Sequence, residues 1–82
     1  MIEGKISKLD VEKRSAVIVT DDGAEIPVRF TDNVNVEVVE LETQGWVGGE
    51  LADLDEGYLV NLDISPADRD GVHSCGNIVS LS

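Results

Sequence analysis

The feature that most constrains this chain is the placing of its β-branched residues. Apolar side chains recur at every second position in short runs, and polar or glycine-containing turns separate the runs. Valine and isoleucine (12 and 6) supply 18 of the 34 apolar residues, which favours a pleated, half-buried backbone. Residues 2–9 place Ile2, Gly4 and Ile6 on one face and Glu3, Lys5 and Ser7 on the other. A period of two predicts a strand. Residues 11–15 are polar and predict a turn, and 16–20 predict a second strand. Asp21-Asp22-Gly23 predicts a hairpin turn, because Asp-Gly suits the positive-φ positions of a tight connection. Residues 25–30 alternate again, with Ile26, Val28 and Phe30 opposite Pro27 and Arg29. Pro27 has no N–H to give to a ladder, so its nitrogen is expected to face solvent or an edge.

Further along, Val34, Val36 and Val38 alternate with Asn35 and Glu37 and predict a strand reaching about Leu41. Residues 44–49, Gln-Gly-Trp-Val-Gly-Gly, predict a flexible loop carrying one exposed aromatic, Trp46. Residues 51–54 predict a single helical turn. A strand is expected over 58–64, with Tyr58, Val60, Leu62 and Ile64 sharing a side. Residues 65–71 form a polar turn around Pro66, and 72–81 close the chain as a strand centred on Ile78 and Val79. Five or six short strands with no longer helix predict an all-β fold, a small barrel.

With 82 residues there is room for one domain, 1–82. One cysteine excludes a disulfide framework. No apolar run approaches the roughly 18 residues of a membrane span, and residues 1–8 hold no apolar signal-peptide core. A cytoplasmic protein without a membrane partner is therefore expected. Net charge is −11, unevenly spread. Residues 1–30 hold five basic groups and six acids, a net of −1; residues 31–82 hold Arg69 and eleven acids, a net of −10. Any anion-binding surface is expected in the first 30 residues.

Several segments resemble the cold-shock domain family. They are Met1-Ile2-Glu3-Gly4-Lys5-Ile6, Glu12-Lys13, Asp21-Asp22-Gly23 and Ile26-Pro27-Val28-Arg29-Phe30-Thr31, followed by Leu54-Asp55-Glu56-Gly57-Tyr58-Leu59-Val60 and Gly71 to Asn77-Ile78. The resemblance implies a five-stranded OB-type Greek-key barrel, with 32–53 as an enlarged loop or extra hairpin after the third strand. It also implies single-stranded RNA or DNA as the partner, bound on strands one to three. The residues it points to are Lys8, Lys13, Arg29 and Phe30. Trp46 joins them if its loop swings over that face, and otherwise lids the core. The family's stacking aromatics are mostly replaced: Lys8, Ser15, Val17 and Pro27 stand at four of those positions. Stacking is worth about 1–3 kcal/mol per base, so binding is expected to be weak.

Chemistry of other kinds has little support. His73 is the only histidine, and a His73/Cys75 pair falls short of the four ligands of a zinc site. Asp68-Arg69-Asp70-Gly71 lacks the remaining ligands of a calcium loop. No phosphate-binding glycine loop or nucleophile elbow is present. No cofactor, metal or enzyme activity is expected. The alternative to nucleic-acid binding is an acidic interaction module, whose basic protein partner meets the −10 half.

Overall fold

The computed structural model describes residues 1–40 and 42–81. Leu41, the expected strand end, and Ser82, the end of the expected domain, lie outside the described residues. Six strands form: β1 (Ile2–Asp10), β2 (Ser15–Val19), β3 (Glu25–Glu40), β4 (Gly45–Gly49), β5 (Leu59–Ile64) and β6 (His73–Ser80). A 3-10 turn, Leu51–Asp53, links β4 to β5, where a helical turn is expected. β1 pairs with β2 and β5, β5 with β6, β6 in parallel with β3, and β3 with β2. These pairings close a five-stranded ring, and β4 lies outside it, paired with β3. The all-β, OB-type barrel expected from the sequence is the fold observed.

The alternating apolar residues fill the ring. Ile6, Ile18, Val28, Phe30, Val60, Leu62 and Ile78 are buried, and Leu51 and Leu54 of the 3-10 segment join the same core. Gly4 sits where β1 exchanges partners, since Ile2–Lys5 pair with β5 and Lys5–Asp10 pair with β2. The strand is so close to β2 here that a Cβ on Gly4 would stand 2.5 Å from Ile18 Cγ2 and 2.8 Å from the Val19 carbonyl oxygen. Three residues later Ser7 is extra in the ladder: Ile6 pairs with Ile18, but Lys8 pairs with Val17. This bulge shifts the phase of the strand, sending Lys8 outward and leaving Leu9 half-buried against the core.

The Asp-Gly turn forms as expected. Gly23 has φ +84, its N–H donates to the Thr20 carbonyl at 2.9 Å, and Thr20 N–H donates to the Ala24 carbonyl at 3.0 Å. Pro27 is accommodated as the sequence requires. Phe30 N–H points to the β2 side, donating to the Arg14 carbonyl at 2.8 Å. Strand alternation then turns the Pro27 nitrogen toward β6, which begins opposite Val28.

Two expectations for the middle of the chain are corrected. β3 does not stop near Phe30; it runs 16 residues to Glu40. Four of its residues, 31–34, oppose Gly76 alone between the pairs Phe30–Cys75 and Asn35–Asn77. The strand bends through this gap, and the Arg14 guanidinium donates to the Thr31 carbonyl there. Residues 45–49 are not a loop but β4, in register with Val36–Glu40. The tight return carries Gln44 at φ +57, and its N–H donates to the Glu40 carbonyl at 2.8 Å. Of the expected insertion 32–53, the end of β3 and β4 form an extra hairpin, Val36–Glu40 with Gly45–Gly49, while Asn35–Glu37 still pair with β6 in the ring.

Candidate nucleic-acid interface

Cross-strand register sets the outer surface of β1–β3. Lys8, Val17 and Pro27 form one row across the three strands. Asp10, Ser15 and Arg29 form the next, and Lys5, Val19 and Glu25 the row on the other side. All are outward because their neighbours Ile6, Ala16, Ile18 and Val28 are buried. A groove of about 760 Å³ runs over the first two rows. Val17 and Pro27, both half-buried, form its floor, and Lys8, Lys13 and Arg29 line it as exposed cations. Lys13 is held by the β1–β2 turn, where its N–H donates to Asp10 Oδ1 at 3.0 Å. Glu56 also lines the groove, with Oε2 accepting the Leu9 N–H at 3.2 Å.

Charge on this surface is only partly compensated. Among the described residues, the ion pair present joins the N-terminal ammonium to Asp63 at 3.6 Å, away from the groove. Arg29 acts at longer range on Asp68, whose carboxyl is held below its ordinary range. The main cause is the Val72 N–H that it accepts at 3.0 Å. Burial opposes it, and the Asp70 N–H and the positive fields of Arg29 and His73 add smaller effects in the lowering direction.

Lys8, Lys13 and Arg29 are therefore brought together; the two aromatics are not. Phe30 is 2% exposed and its ring is part of the core. The alternation that puts it with Ile26 and Val28, opposite Pro27 and Arg29, decides its facing. Trp46 belongs to β4 and does not line the groove. Its indole N–H donates to the Ser80 carbonyl at 3.3 Å, and 55% of the residue remains exposed. It neither swings over strands one to three nor lids the core. Arg14, another of the five basic groups of residues 1–30, gives its guanidinium to the Thr31 carbonyl and does not line the groove. The apolar floor went unread in the sequence. Its signal is Val17 and Pro27 at outward positions between inward Ala16, Ile18 and Val28.

His73 and Cys75 are separately engaged. The imidazole Nδ1 donates to the Ser65 carbonyl at 2.7 Å, and the Cys75 thiol donates to the Asn77 carbonyl at 3.4 Å. Burial pushes the thiol up from its ordinary value, with the field of Asp63 adding to the shift and the Asn77 contact opposing it. Fully buried and held protonated, Cys75 is expected to resist a thiol reagent in the native protein and to react once urea unfolds it. Complete labelling within minutes under native conditions would contradict its place in the core.

Comparison with known protein families finds no match, and no curated protein is significantly similar to the chain.

Proposed function

We propose that the β1–β3 groove binds single-stranded RNA or DNA, weakly and in the manner of a diverged cold-shock-like domain. Phosphates meet Lys8, Lys13 and Arg29, and bases lie over Val17 and Pro27. The supporting observation is the convergence of three exposed cations on one apolar-floored groove, with none of them in an ion pair among the described residues. An OB-type barrel is a fitting scaffold, since such barrels use strands two and three and their adjoining loops for oligonucleotides. Affinity is low because the groove has no aromatic platform and the whole chain repels a polyanion.

The test is an NMR titration of the isotope-labelled chain with a pyrimidine-rich oligonucleotide. Shifts are expected at Lys8, Lys13 and Arg29. Three phosphate contacts on a single strand give a slope of log K against log salt of about −2, or roughly a twentyfold loss between about 50 and 200 mM. The double variant Lys8→Ala/Arg29→Ala is expected to reduce that slope to about −0.7. Absence of shifts at millimolar oligonucleotide and low salt would reject the proposal.

A further inference from the structure

A second surface lies on the opposite flank of β3. Among the described residues, β4 is bonded to β3 along one side only, and its other side is a sheet edge. Its five residues, Gly45-Trp46-Val47-Gly48-Gly49, include no charge and no proline. Natural edges are commonly blunted by lysine, proline or an inward charge, because unpaired N–H and C=O groups template another strand. This edge has none of those devices. Trp46 and Val47 are 55% and 43% exposed and, as neighbours on a strand, project to opposite faces. A Cβ on Gly48 would meet nothing within 4 Å, so space beside Trp46 is open.

The surrounding charge selects the occupant. Glu40 and Glu42 precede the strand, Glu50 and Asp53 follow it, and Glu37 is paired with Gly48. No lysine or arginine stands between Arg29 and Arg69. A second copy of the chain would bring the same carboxylates, and a net −11, against this edge. An extended basic segment would instead be attracted. Trp46 suits it, because tryptophan is the best aromatic face for a guanidinium or ammonium. The Ser80 contact ties the indole N–H while more than half of the residue stays open to solvent.

We propose that the free edge of β4 docks an extended basic segment of another protein. The segment adds a strand to the sheet, with lysine or arginine over Trp46 and an apolar side chain beside Val47. Main-chain bonds supply affinity and alternate side chains supply selectivity. This inference rests on β4 and is independent of the groove on β1–β3.

The test titrates the full labelled chain with a short peptide alternating valine and arginine, and separately with one alternating valine and glutamate. The arginine peptide is expected to shift residues 45–49 and the Trp46 indole N–H, and the glutamate peptide to leave them unchanged. Trp46→Ala is expected to weaken binding about tenfold. The exposed Glu42→Lys is a second variant, whose retained spectral dispersion reports an intact fold, and it is expected to weaken binding as well. Three outcomes would overturn the proposal: equal binding by both peptides, arginine-peptide shifts that avoid 45–49, or full affinity in both variants. Dimerisation of the free chain through β4, or oligonucleotide shifts at β4 in place of Lys8 and Arg29, would assign the edge to a different occupant and also overturn it.

Discussion

Phe30→Ala is expected to cost a large part of the folding stability, and not to act by removing a stacking surface for bases. The ring is 2% exposed and packs in the core with Val28 and Ile18. Truncating a buried phenylalanine costs about 3–5 kcal/mol, the lost transfer energy plus the cavity left behind. A domain of this length has about 4–12 kcal/mol in total. At roughly 4–8 °C per kcal/mol, the midpoint is expected to fall by at least ten degrees or so. Thermal and urea unfolding followed by circular dichroism measure this. Phe30→Leu fills more of the cavity, so it is expected to fold and to retain any oligonucleotide binding. A Phe30→Ala chain with an unchanged midpoint and no oligonucleotide binding would instead place the ring outside.

The second large effect is at Gly4. In many exposed positions Gly→Ala stabilises by about 0.4–1 kcal/mol, because alanine restricts the unfolded chain. Here the new methyl would meet Ile18 Cγ2 at 2.5 Å and the Val19 carbonyl oxygen at 2.8 Å. The second of these is backbone and cannot swing aside without moving β2. Overpacking of this kind costs about 1–3 kcal/mol and exceeds the entropic gain. Gly4→Ala is therefore expected to be clearly destabilised in urea. Gly48→Ala is its control: the site is open, and the change is expected to be neutral or slightly stabilising. If the two variants unfold alike, the close approach of β1 and β2 is not what demands glycine.

Lys8 reaches the groove because the Ser7 bulge reverses the phase of β1. With strict alternation from Ile2, Gly4 and Ile6, Lys8 would point inward. The family resemblance set Lys8 on the binding face with no physical reason for it, and the bulge supplies one. Phe30 shows the reverse case. The resemblance included it in the site, while period-two alternation already grouped it with Ile26 and Val28.

What the sequence determined by itself is what neighbouring residues determine among themselves. Alternation over 2–6, 26–30 and 58–64 identified strands and their inward sides, and Asp22-Gly23 specified a turn through backbone sterics. The count of such runs pointed to a small barrel. Only the tertiary structure decided that the runs 25–30 and 34–40 are one strand, what residues 45–49 are, and where Trp46 faces. The runs 25–30 and 34–38 alternate separately in the sequence, yet β3 is continuous through both, with the Arg14 guanidinium serving the Thr31 carbonyl at the gap in the β6 ladder. The run Gly-Trp-Val-Gly-Gly has no alternation of its own and becomes a strand through its pairing with Val36–Glu40. The physical reason is common to both: hydrogen-bond partners in a sheet come from distant parts of the chain, and the local pattern does not name them.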